Sequence, residues 1–239
     1  NKKFILQDQM PINFQSQGSL KKLVRSVFSR SNNVVGVSSG SIKFPLSIKY
    51  SEVTAFTGPD VRVSGWGPLF AALVIFSTLF LSLLFFVSPR AALVAAGMIG
   101  LVFITSFLNS ESWWARYTPQ LWLVPVIALA ALWLNEHRLA QIAGNLLAVL
   151  MFVNIFLVSG AYLTSNFIYT RETRATLTSL RKNGEKVLLY YGPLEAAGMR
   201  LRDYGIPYQW VETRQELPCP TELEHMVFYS PVDCTAEPP

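Results

Sequence analysis

The stretch "NSESWWARYTPQLWLVP", residues 109–125, places a cation among aromatic rings between two apolar runs. Its charged and aromatic residues are Glu111, Trp113, Trp114, Arg116, Tyr117 and Trp122. A guanidinium offers a planar fork of donors that fits a phosphate, and it can stack on a ring while it donates. Pro119 begins the next apolar run, and the free N–H groups of a helix start also favour an anion. The alternative is an interfacial anchor, with the rings among lipid headgroups and Glu111 orienting or pairing with Arg116.

A second charged stretch, "TGPDVRVSGWGPLF" at residues 57–70, contains Asp60 and Arg62 among glycines that allow close backbone approach. It also lies directly before an apolar run, so we expect both side chains on the same side as Arg116. The alternative is an ordinary charged turn. The glycine patterns of nucleotide-binding loops are absent.

The elements that must position these residues are apolar helices. Only 15% of the 239 residues are charged, and the mean hydropathy is positive. Four stretches contain no charged residue: 63–89, 91–110, 117–135 and 139–170. Buried helices of a soluble protein are the alternative, but a run such as "LFAALVIFSTLFLSLLFFV" has no polar face. We therefore predict an integral membrane protein with about four spans: 67–88, 91–108, 119–135 and 139–163.

The first domain, residues 1–66, is a basic segment with nine Lys or Arg against three acids. Residues 19–30 have the spacing of an amphipathic helix, which we expect on a membrane surface with its cations toward anionic headgroups. Residues 32–50 are typical of extended chain. The first residue is Asn, which suggests a fragment of a longer protein or a processed chain.

The second domain, residues 67–164, is the predicted bundle, and the third, residues 165–239, has a mixed pattern. A helix over 164–186 should end at Asn183-Gly184. A strand, a short helix and two further strands follow, at 186–192, 193–205, 206–212 and 225–231. The predicted fold is a membrane α-helical bundle with a small C-terminal α/β extracytoplasmic domain of βαβ type.

Charge and cysteine position predict the topology. Arg90 and Arg138 lie in the two short turns, which favours the cytoplasm for those turns and the outside for both tails. The basic first tail argues the other way, but it is too long for the rule to apply well. Cys219 and Cys234 are close enough in sequence for a disulfide in an oxidising compartment, with two free thiols as the alternative. No zinc site is expected.

The pairing of "DVRVSGWGPLF" and "ESWWARYTPQLWLVP", each before a span, resembles the C-terminal half of bacterial C-type (GT-C) membrane glycosyltransferases. The resemblance covers residues 57–165 in motif and 165–239 in layout. It implies a polytopic cell-envelope transferase that takes a sugar from a polyprenyl-phosphate donor on the extracytoplasmic face. By this resemblance Arg116 would be a candidate contact for the lipid-linked phosphate, and Trp113, Trp114 and Tyr117 would line the mouth of a cavity. The site would be metal-independent or assisted by a divalent cation.

The chain also departs from that family. Members have more spans, and their catalytic Asp or Glu lies in a first extracytoplasmic loop that nothing here matches. Neither Asp60 nor Glu111 is therefore assigned as the general base. The competing hypothesis is a non-catalytic structural or accessory subunit of a membrane complex, because the small residues of 91–100 allow close helix approach. A transporter is disfavoured, since the predicted spans contain no ionisable residue.

The predicted location is the bacterial inner (cytoplasmic) membrane, as a multi-pass protein with both tails extracytoplasmic. The expected partners are membrane lipids, the polyprenyl-phosphate sugar donor and other membrane subunits. No nucleic-acid partner is expected.

Overall fold

The computed structural model describes residues 10–33, 41–58, 60–184, 186–190, 196–224 and 227–231. The chain divides into two compact units, residues 1–164 and 165–239. The described helices are α1 (Ile12–Gln15), α2 (Ser19–Val27), α3 (Tyr50–Thr54), α4 (Phe70–Val87), α5 (Pro89–Phe107), α6 (Leu123–Trp133), α7 (Arg138–Asn183) and α8 (Ala196–Asp203). The strands are β1 (Val187–Tyr190), β2 (Tyr208–Trp210), β3 (Thr221–Glu224) and β4 (Val227–Pro231).

Within the described residues, three helices are long and apolar enough to cross a membrane: α4, α5 and α7. This indicates association with a membrane. The predicted span 119–135 is shorter than expected, because it consists of a 3-10 turn at Pro119–Trp122 followed by α6. Together they extend about 25 Å, against a hydrocarbon core of about 30 Å. Pro125 has no N–H to donate to the carbonyl of Leu121, which disfavours regular α-helical bonding through that first turn.

The core of the first unit lies among α4, α5 and α6, which pack on one another pairwise. Phe70, Leu73 and Leu84 of α4 are buried there, together with Ala95 of α5 and Leu132 of α6. Helix α7 adds Ala140, Ala143, Leu147 and Met151 to the same cluster. The outer faces of these helices remain apolar and exposed, as expected of helices that face lipid.

Helix α7 is a single helix of 46 residues, where the sequence predicted a span over 139–163 and a second helix over 164–186. The junction contains neither Pro nor a pair of glycines, so nothing interrupts the helical hydrogen bonding. The predicted stop is confirmed: α7 ends at Asn183, and Gly184 follows with φ of +66°.

The second unit contains a four-stranded sheet in the order β2-β1-β4-β3. β1 pairs in parallel with β2, and α8 connects them, so the predicted βαβ arrangement is confirmed. β4 is antiparallel to β1 and to β3. β3 was not predicted from the sequence, because this short edge strand, "TELE", has only one apolar residue among polar ones. The unit has its own core, formed by residues such as Leu177, Val187, Leu189, Leu201 and Ile206.

Candidate functional site

The two charged stretches meet at one end of the first unit. Ser88 alone separates α4 from α5, so the start of α4 and the end of α5 come together. The indole Nε1–H of Trp66, before α4, donates to the carbonyl of Thr118 at 3.1 Å. The indole of Trp114 donates to Asp60 Oδ1 at 2.8 Å. The segment before α4 is thereby fixed to the loop between α5 and α6.

A cavity of about 540 Å³ opens at this junction. It is lined by Asp60, Val61, Gly65, Trp66, Ala115, Arg116, Pro119 and Trp122. Arg116 Nη1 lies 3.5 Å from Asp60 Oδ2, and two thirds of the Arg116 side chain is exposed. The predicted neighbours Asp60 and Arg116 therefore form an ion pair on the wall of one cavity, where the guanidinium keeps donors for a further anion.

The rings of Trp113 and Trp114 are buried in protein, so the interpretation that they lie among headgroups is wrong for these two residues. Phe14 packs edge-on against Trp113, with centroids 5.5 Å apart. Trp113 and Trp114 pack on each other at 5.6 Å. Buried indoles need an acceptor, and here carboxylates provide it. The rings on the cavity wall are instead those of Trp66 and Trp122, while Tyr117 is exposed and packs edge-on against Trp114 at 5.3 Å.

Glu111 and Arg62 also have defined positions. Glu111 Oε2 accepts from Trp113 Nε1 at 2.7 Å, and the ion-pair partner of Arg116 is Asp60. The guanidinium of Arg62 lies over the Trp114 ring, 5.4 Å from its centroid. Glu111 and Arg62 thus contact the two buried indoles, and one of these, Trp114, holds Asp60 on the cavity wall.

Asn154 on α7 supports the site and was not predicted from the sequence. It is fully buried, its Nδ2 donates to the carbonyl of Trp66 at 3.0 Å, and its Oδ1 accepts from the N–H of Leu69 at 2.8 Å. Gly67, which lies between Trp66 and Leu69, has φ of +116°, and a Cβ there would lie 2.4 Å from Asn154 Nδ2. This clamp sets the turn that presents Trp66 to the cavity. The available signal was a lone amide within an apolar run.

A second missed group surrounds the buried carboxylate of Glu52. Lys43 Nζ donates to Glu52 Oε1 and, at 2.7 Å, to the carbonyl of Pro68 just before α4. Arg30 Nη1 donates to Glu52 Oε2 at 3.1 Å, and the N–H groups of Ser31 and Lys49 also donate to this carboxylate. Burial lowers the pKa of Lys43, against the opposing effect of Glu52. This group fastens the basic segment to the start of α4.

Helix α2 is the amphipathic helix predicted for 19–30. Its Leu23 and Val27 belong to the buried core of the first unit, and Ser26 Oγ donates to the carbonyl of Trp113 at 2.6 Å. The side expected to face lipid therefore packs on protein in part, while Leu20 and Val24 stay exposed.

The predicted disulfide falls partly on residues that are not described. Cys234 lies outside the described part of the chain, so the Cys219–Cys234 disulfide stays a prediction. Cys219 itself is tied to β4, since its N–H donates to Ser230 Oγ at 3.1 Å. Among the described residues, no group of three His, Cys, Asp or Glu is placed to hold a metal ion.

Comparison with known proteins adds no relative: no protein-family model, no curated protein and no solved structure matches this chain.

Proposed function

We propose that this chain is a membrane glycosyltransferase, or the C-terminal part of one, that uses a polyprenyl-phosphate sugar donor on the extracytoplasmic face. The observation that carries the proposal is the Arg116–Asp60 pair on the wall of a cavity at one end of an apolar helix bundle. The cavity volume falls in the range of small-molecule sites. The cavity wall combines a charged pair for a phosphate with the apolar side chains of Val61, Trp66 and Trp122.

Arg116 is the residue that would contact the donor phosphate. Its guanidinium is largely exposed, and its contact with Asp60 is 3.5 Å, longer than a good charged hydrogen bond. Asp60 is itself held by the Trp114 indole, so Asp60 can orient the Arg116 guanidinium without using all of the guanidinium's donors. A phosphate can then accept a bidentate pair from the remaining N–H groups.

Asp60 is a positioning residue in this proposal. No side chain of this chain is assigned as the general base, and the catalytic carboxylate would lie elsewhere in the complete enzyme. The proposed location is the bacterial cytoplasmic membrane, with the cavity end of the bundle extracytoplasmic.

The experiment is a binding panel with the chain reconstituted in nanodiscs. Undecaprenyl phosphate, undecaprenol and inorganic phosphate are compared by native mass spectrometry and by fluorescence of the cavity tryptophans. We expect the lipid phosphate to bind and the alcohol to bind much more weakly. Equal binding of the alcohol, or no binding of the lipid phosphate, would reject the proposal.

A second candidate, a structural or accessory subunit of a membrane complex, is favoured by a different observation. Gly97 and Gly100 on α5 have open space where a Cβ would lie. Glycines of this kind allow a second helix to approach closely. Failure of the lipid-phosphate panel, together with cross-linking from Gly97→Cys to another membrane protein, would support this function instead.

A further inference from the structure

An exposed apolar segment lies at residues 42–50, "IKFPLSIKY", outside the cavity. Its large apolar side chains, which are all exposed, are Ile42, Phe44, Leu46, Ile48 and Tyr50. Ile42, Phe44 and Tyr50 are 75%, 70% and 84% exposed. So many apolar side chains in nine residues form a patch that is costly to leave in water.

The segment is held firmly at the start of α4. The backbone N–H of Lys43 donates to the carbonyl of Phe28 at 3.0 Å, and its Nζ donates to the carbonyl of Pro68 at 2.7 Å. The Lys43 side chain is 1% exposed and is paired with Glu52. Because these contacts fix the segment, its apolar side chains cannot retreat into the core by a simple shift of the chain.

The exposed apolar surface of α7 continues past the level of the start of α4. Asn154 of α7 contacts the N–H of Leu69, which marks the level of that start along α7. Beyond Asn154, residues 155–163 contain no charged residue, and Ile155, Phe156 and Leu163 are exposed. The exposed apolar surface of α7 therefore continues past the level at which Lys43 fixes the apolar segment.

We infer that residues 42–50 are a membrane-docking loop that enters the headgroup and upper acyl region of an anionic lipid bilayer, beside the spans. Residues 10–58 contain six Lys or Arg and one acid, Glu52, which is buried against Lys43 and Arg30. Lys49 is exposed within the loop and can reach lipid phosphates. Apolar rings and aliphatic groups with flanking cations fit an anionic membrane surface better than a neutral one.

The test is spin-label depth measurement in nanodiscs that contain phosphatidylglycerol. Single cysteines replace Phe44 or Ile48 in a background without native cysteines, and Thr57→Cys, an exposed polar site, is the matched control. Accessibility to oxygen, which concentrates in lipid, is compared with accessibility to a water-soluble nickel chelate. We expect the oxygen-to-nickel ratio at Phe44 and Ile48 to be several-fold higher than at Thr57.

Each other result overturns the inference. Labels at Phe44 and Ile48 that are as accessible to nickel as the Thr57 label would place the loop in water. Labels shielded from both reagents would mean that protein covers the loop. Blue-shifted tryptophan fluorescence, expected from the buried Trp113 and Trp114, reports that each variant is folded. If Phe44→Cys misfolds, Ile48→Cys alone provides the test.

Discussion

Replacement of Asn154 by Ala should destabilise the protein strongly, because one side chain satisfies two buried backbone groups. The substitution leaves the carbonyl of Trp66 and the N–H of Leu69 without this partner, and both residues are almost fully buried. An unsatisfied buried group costs about 1–3 kcal/mol, so the two together should lower the free energy of unfolding by about 2–6 kcal/mol. The cavity left by the amide adds to this loss.

Asn145→Ala is the matched control on the same helix. Asn145 is exposed, and its Oδ1 accepts one hydrogen bond, from Trp133 Nε1 at 3.1 Å. Its loss should cost no more than about 0.5–1.5 kcal/mol. Both variants are compared with the wild type by denaturant unfolding in nanodiscs, followed by tryptophan fluorescence. Equal stability of the Asn154 and Asn145 variants would mean that the two backbone groups find other partners and that the Asn154 contacts are not needed for stability.

The remaining predictions concern the backbone, the buried charges and the topology. Gly67→Ala should cost about 1–3 kcal/mol of unfolding free energy from its φ of +116° alone, measured by the same unfolding assay. Lys43→Met should cost about 3 kcal/mol, because it leaves the buried Glu52 carboxylate without its main partner. The free energy of unfolding of the wild type should rise with pH between the lowered pKa of Lys43 and 10.5. In this range the unfolded chain still binds a proton that the folded chain has released. Unfolding measured across the same pH range should show no such rise for Lys43→Met. Cysteines introduced at Ser88 and Thr221 should react with an impermeant outside reagent at position 221 only.

The two substitutions and the topology each have a clear contrary result. An unchanged stability of Gly67→Ala would mean that the turn relaxes to a different conformation. We expect Lys43→Met to have a lower free energy of unfolding than the double variant Lys43→Met/Glu52→Gln. The reverse order would contradict the buried ion pair. Labelling at position 88 and not at 221 would contradict the predicted topology.

The sequence could predict that Asp60 and Arg116 approach each other, because the chain crosses the bundle twice between them. It could also predict the helix stop at Gly184, since a glycine after a basic turn is a local signal. These features depend on hydrophobic runs and on short-range backbone chemistry. Both can be recognised from residues that are neighbours in the sequence.

The sequence could not predict which indoles are buried. Trp113 is covered by Phe14, a residue far away in the chain, while Trp122 in the same stretch lies on the cavity wall. The partnership of Lys43 with Glu52 and Pro68 likewise depends on how the basic segment folds back on the start of α4. Such pairings follow from tertiary contacts that no local periodicity encodes.

In the proposed function, the Arg116 guanidinium binds the phosphate of a lipid-linked donor. The most direct measurement is the affinity of undecaprenyl phosphate for Arg116→Lys in nanodiscs, with Arg138→Lys, an exposed arginine at the start of α7, as the matched control. Loss of a charged hydrogen bond worth about 1.5–3 kcal/mol should weaken binding by about 10- to 150-fold, while the fold remains intact. Arg138→Lys should bind like the wild type. An Arg116→Lys variant that binds undecaprenyl phosphate as tightly as the control would contradict this proposed role of Arg116.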